Sequence, residues 1–184
     1  MPPIPVNFTT LYNLLDIATI NNIIEIKTID PNRYVAPWKQ TRWVVGSSLF
    51  FLIPCAYSYK NNRLFLSGVT GLTSLISVNY WRNANYSWRR IMDRIFSKLS
   101  FAIFVVSGIK HINKIPHIIC GYSGLVGIGY FYYMSNKNSE NKNKNLEENI
   151  DTNNDIWWKY HMMFHLLSAC NQSVVIHSIL SYGK

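Results

Sequence analysis

Acidic residues are scarce in this chain. Only 9 of 184 residues are Asp or Glu, and charged residues make up 15%. Soluble domains usually carry roughly 25%. Cysteines are few as well: Cys55, Cys120 and Cys170 stand alone, each in an apolar segment. There is no C-x-x-C, hence no paired-cysteine motif, and each Cys reads as a small buried hydrophobe. The chain has no Gly-rich phosphate loop, no G-x-S-x-G elbow and no H-E-x-x-H, so the signatures of phosphate binding, serine hydrolysis and zinc proteolysis are missing. The start, MPPIPVNFTT, shows no basic n-region and no early apolar core. A cleaved leader is therefore not expected, and the first apolar span would serve as the insertion signal. No internal repeat suggests a solenoid.

What the chain does have is apolar runs of membrane length. Mean hydropathy is near zero, at +0.01, but that average hides segregation. Asn crowds the first 40 residues and the stretch Ser135–Asp155, while the remainder is apolar and aromatic. Five runs stand out: Trp43–Tyr59, Leu64–Trp81, Ile95–Ile112, Pro116–Met134 and Trp157–Tyr182. A bilayer-crossing helix needs about 20 residues, range about 17–25. Trp and Tyr mark the run ends, as interfacial anchors do. Gly68, Gly71 and Ser74 would let a second helix approach the second run closely. The expected fold class is all-α, an integral membrane bundle of about five transmembrane helices.

Four regions follow. Residues 1–41 form an N-terminal arm, in which Phe8, Leu11, Leu15 and Ala18 have helical spacing. They predict a short interfacial helix, with a loosely ordered arm as the alternative. Residues 42–134 hold four spans. Residues 135–156 are polar and low in complexity, and predict a disordered loop. Residues 157–184 hold the last span.

The formal net charge is +9. Nucleic-acid binding is not expected, because Lys and Arg sit in short connectors rather than on one continuous basic face. Their placement sets orientation. Lys27, Arg33, Lys39, Arg42, Arg82, Arg89, Arg90, Arg94 and Lys98 fall on one side of the five spans, with Lys137, Lys142, Lys144 and Lys159 of the long loop, which counts for less. Lys60, Arg63, Lys110, Lys114 and Lys184 fall on the other. The more basic side is cytoplasmic by the positive-inside rule. This predicts a cytoplasmic N-terminus and a lumenal or external C-terminus. Membrane lipids are the expected partners, with the arginines meeting anionic headgroups.

The last span carries the most pointed pattern, WWKYHMMFHLLSACNQ. His161 and His165 are one helical turn apart and share a face. Ser168 and Gln172 fall within about 30° of that face. A polar stripe facing lipid is costly, so it should face the bundle interior. Two His at i and i+4 suit a first-row metal or a proton shuttle. The plain alternative is a pair of headgroup-level histidines that bind nothing. Asp93 opens the third run, and its plain reading is an ion pair with Arg89 or Arg90 at i−4 and i−3. Ser77 ends the second run. Topology puts Ser77, Asp93, His161 and His165 at one membrane depth, and that convergence suggests a site. His111 and His117 flank the third connector on the opposite side, with His177 near the far end of the last run. All three read as interfacial.

The order Ser77, Asp93 and H-x-x-x-H in the last span resembles a membrane hydrolase superfamily. It includes the alkaline ceramidases, the progestin and adiponectin receptors and the hemolysin III proteins. The resemblance implies zinc as cofactor, with His161 and His165 as ligands. It implies Ser77 and Asp93 as catalytic groups orienting the zinc water or polarising a lipid amide. Where the superfamily has its third histidine this chain has Trp81, and it has about five helices rather than seven. NYWRNANYSWRRIMD and WWKYHMMFH are also similar to stretches of small multi-pass membrane proteins of large DNA viruses. Three functions are therefore expected in competition: a non-enzymatic membrane component with an altered zinc-like cluster, a zinc-dependent lipid amide hydrolase, and proton or small-solute transport.

Overall fold

A computed structural model describes residues 30–147 and 156–182. The described residues are predominantly helical. A short strand, β1 (Asp30–Tyr34), leads into α1 (Trp38–Ser48). A 3-10 turn, Leu49–Phe51, joins α1 to α2 (Leu52–Lys60). Next come α3 (Leu64–Trp81), strand β2 (Asn85–Tyr86), α4 (Trp88–His111), α5 (Ile115–Glu147) and α6 (Trp157–Tyr182).

Local chemistry explains the joints. Pro54 has no N–H for the carbonyl four residues back, and its ring crowds that carbonyl. The helix tightens into the 3-10 turn just ahead of it. The α2–α3 turn passes through Asn62, which has φ 57°. Asn tolerates this left-handed conformation because its short polar side chain bonds locally. The Arg63 amide returns to the Ser58 carbonyl at 2.9 Å and closes the turn.

The strands were not anticipated. β1 and β2 pair antiparallel, with Asp30 opposite Tyr86. The Val35 amide adds a bond to the Ala84 carbonyl at 2.8 Å. This ribbon ties the segment before α1 to the α3–α4 connector. Beneath it Ala36, Val44, Tyr80, Trp81, Ala84 and Trp157 form an apolar cap over one end of the bundle.

Helix α6 is the hub. It packs against α5 most extensively, and also against α1, α2 and α4. Gly124 and Gly127 of α5 allow the closest approach: a Cβ at Gly127 would stand 3.0 Å from the Leu167 side chain, and one at Gly124 would strike Asn171. Of the three small residues of α3, Gly71 faces Cys55 and Ser74 is buried, while Gly68 faces open space.

Burial is inverted relative to a water-soluble bundle. On α3, Ser67, Thr70, Thr73, Ser74 and Ser77 are buried, while Leu64, Phe65, Leu72 and Leu75 are exposed. Leu52, Ile53, Val106, Ile109, Ile119 and Val126 are exposed on other helices. Ser47, Ser100, Ser168 and Ser178 lie inside.

Among the described residues one helix, α6, is long and apolar enough to cross a membrane by length and composition, over Trp157–Ser181. The inward Ser, Thr and Gly residues dilute the hydropathy of the others. Two expectations differ from the structure. Helix α5 runs on past Ser135 to Glu147, into the stretch expected as loop. Its first polar turns are held by Asn138 Nδ2 donating to the Met134 carbonyl at 2.7 Å and by a Ser135–His161 bond. Cys120 and Cys170 are exposed on outer helix faces, and only Cys55 is partly buried. The interfacial helix expected at Phe8–Ile26 lies outside the described residues.

Candidate functional site

The expected residues do meet. Ser77 on α3 hydrogen-bonds the Asp93 carboxyl on α4. Ser77 Oγ lies 3.0 Å from Ser48 Oγ on α1. His165 Nδ1 on α6 lies 2.9 Å from Ser47 Oγ and 3.5 Å from Ser48 Oγ. One network thus joins four helices, and each of these side chains is buried. The Asp93 environment is not the surface ion pair that spacing alone suggests. It is a buried carboxyl with Ser77 on one oxygen, and its Oδ1 has no hydrogen-bond partner.

Each hydroxyl carries one proton, and that constrains the network. Ser48 Oγ donates to the Val44 carbonyl at 2.9 Å, so its one proton is not free for Ser77. Ser77 therefore donates either to Ser48 Oγ or to the Asp93 carboxyl. Ser47 donates to the Val44 carbonyl at 2.9 Å, so its oxygen accepts from His165 Nδ1–H. With Nδ1–H donating to Ser47, His165 Nε2 is the bare nitrogen. The Ser74 hydroxyl donates to the Ser48 carbonyl at 2.9 Å and pins α3 to the end of α1.

His161 belongs to the same cluster by contact but not by hydrogen bonding. Its ring centre lies 4.7 Å from that of His165, at 71°. Its Nδ1 pairs with Ser135 Oγ of α5 at 3.2 Å. Trp81 lies against it at 4.8 Å, Phe164 at 5.6 Å and Trp157 at 6.2 Å. Trp81 therefore stands beside the histidine pair, in the place where the resemblance implies a third ligand. An indole N–H is a donor only and cannot bind a metal.

The donor set does not fit a catalytic zinc centre. Such centres take three protein ligands. Among the described residues no group of three or more His, Cys, Asp or Glu is placed to hold a metal ion. Asp93 reaches His165 only through two serines. His161 and His165 remain two nitrogens in an aromatic nest.

A small cleft opens beside the network, lined mainly by α4, α5 and α6. His165, Ser168, Gln172 and Ser100 give it a polar floor, and Phe101 and Leu125 are among its apolar lining. Gln172 Nε2 donates to Ser100 Oγ at 3.4 Å, while its Oε1 is buried without a partner. Ser77 and Asp93 do not line this cleft.

Sequence reasoning missed Ser47, Ser48, Ser100 and Ser135. Ser47 and Ser48 did leave a signal, since they are adjacent hydroxyls inside the apolar run VVGSSLFF. Ser100 and Ser135 left none beyond being single serines. No protein-family model, curated protein or solved structure matches this chain.

Proposed function

We propose that the chain is a multi-pass integral membrane protein, a non-enzymatic component whose polar cluster locks its helices together. Five crossings are formed by α1–α2 as one rod, α3, α4, α5 and α6. The single observation behind this reading is the inverted burial of α3, with Ser, Thr and Ser inward and Leu and Phe outward. In water that arrangement would forfeit the hydrophobic driving force. In lipid it places apolar side chains in hydrocarbon and lets hydroxyls bond across helices. The N-terminus is cytoplasmic, following the basic connector at Arg82–Arg94. The resemblance to the ceramidase and hemolysin III proteins then reflects an altered version of their cluster, with Trp81 at the third ligand position.

Alkaline carbonate extraction and glycosylation mapping test this. The protein should stay with the membrane. Acceptor sites placed in the Asn61–Arg63 and Ile112–Lys114 connectors should be glycosylated, and one at Arg82–Ala84 should not. Release into the carbonate supernatant would overturn the reading. So would zinc bound stoichiometrically by the wild type and lost in both His161→Ala and His165→Ala.

A further inference from the structure

A second histidine pair lies away from the Ser77–His165 network. His117 sits in the first turn of α5, and His177 lies near the C-terminal end of α6. They are 60 residues apart in sequence, yet their ring centres are 5.3 Å apart with planes at 89°. Tyr57 of α2 completes the group. Its hydroxyl lies 2.9 Å from His177 Nδ1, and the two rings stack at 6.4 Å. Each residue read alone is an interfacial side chain, and only the fold brings the three together.

The spacing matches joint ligation. A metal about 2.0–2.1 Å from one nitrogen of each imidazole, at a tetrahedral angle, sets ring centres about 5 Å apart. The Tyr57 contact also has the form of an outer support. Metal-bound imidazoles commonly bond their other nitrogen to a neighbour, which fixes tautomer and ring direction. With His177 Nδ1–H donating to the phenol oxygen, Nε2 presents a lone pair. A two-nitrogen site needs water for its remaining positions. His177 is exposed and His117 partly so, so water can reach the ion. The His161–His165 pair is different, because Trp81, Trp157, Phe164 and Phe51 surround it.

We propose that His117 and His177 bind one first-row divalent ion, with Tyr57 orienting His177 and water completing the coordination. Imidazole donors and the general order of divalent affinities favour Cu²⁺ over Zn²⁺ and Ni²⁺. Lys60, Arg63, Lys110 and Lys114 are close in sequence to these three residues. Their charge opposes a cation, and salt screens it with a length of about 8 Å at physiological ionic strength. Affinity should therefore rise with salt, the reverse of an acidic site. This proposal goes beyond the membrane reading and does not rest on it.

The test is Cu²⁺ titration of the detergent-purified full chain, by calorimetry and by paramagnetic resonance with nitrogen hyperfine structure. One ion per chain with two nitrogen ligands is expected. His117→Ala and His177→Ala should each weaken binding more than about tenfold. Tyr57→Phe should weaken it by about 10–100-fold, as loss of an outer-shell partner does, with one ion still bound. His111→Ala should change nothing. Helicity of each variant is recorded, and Tyr57→Phe keeps the ring, so lost binding is separable from lost folding. Wild-type affinity in either His117→Ala or His177→Ala overturns the proposal. So does the absence of stoichiometric Cu²⁺, or a signal that disappears with His161→Ala instead.

Discussion

Gly124→Ala gives a quantitative test of how α5 and α6 meet. A methyl group at position 124 would collide with the Asn171 amide. Asn171 is buried, and its Nδ2 donates to the Gly121 carbonyl at 2.8 Å. The methyl must push Asn171 aside and break that bond. Overpacking costs about 1–3 kcal/mol, and the lost hydrogen bond about 0.5–1.5 kcal/mol. Alanine returns about 0.8–1 kcal/mol through helix propensity. The net expectation is a loss of about 1–3 kcal/mol. Gly46 and Gly68 supply the control, since a Cβ at either meets nothing within 4 Å. Alanine there should be neutral or gain up to about 1 kcal/mol. The assay is chemical unfolding in mixed micelles, followed by helical circular dichroism. In the double variant Gly124→Ala/Asn171→Ala the clash has no opponent, so the combined loss should fall short of the sum. If Gly124→Ala proves as stable as Gly68→Ala, the α5–α6 contact is wrong as described.

Two further outcomes are expected. Ser77→Ala removes the hydroxyl paired with the buried Asp93 carboxyl and should cost about 0.5–3 kcal/mol, the span from a neutral to a charged hydrogen bond. The loss should shrink when Asp93→Asn is already present, and equal losses in both backgrounds would sever the link between the two side chains. Leu72→Lys places a charge on the outer face of α3 near its midpoint. Insertion of that helix, read by glycosylation mapping, should weaken by about 2.5–3.5 kcal/mol. A water-exposed position would tolerate the change within about 0.5 kcal/mol, and that result would argue for a soluble bundle.

The parts of the fold carried by single helices were readable in advance. The second and last runs are helices with the expected bounds, while the other three are helical over shifted, split or longer stretches, and among the described residues the last is the one long and apolar enough to cross a membrane. Helix order also brought Ser77, Asp93 and His165 to one place. What could not be read were contacts that exist only between elements. Strand β1 is DPNRY, with little strand preference of its own; it forms because β2 offers a partner. Ser135 lies in a polar stretch that reads as loop until His161 supplies a reason for the helix to continue. Trp81 was visible as the residue in the third ligand position, but its ring contact with His161 depends on how α3 and α6 cross. Helix order put His117 and His177 at the same end of the helices, and nothing local said their rings would touch.

The hub position of α6 has a consequence for how the molecule is made. Helices leave the ribosome in order, and this one follows the four segments it joins. Until it arrives, the buried Ser47 and Ser48 lack their His165 partner. α4 and α5, adjacent in the chain, are bridged chiefly by the later helix. The nascent protein therefore holds an open polar seam for the time needed to synthesise the whole Ser135–Asp155 segment and the final helix. Assembly closes only once this helix has been made. A chain truncated before Trp157 should keep that seam open and be degraded faster than the full chain.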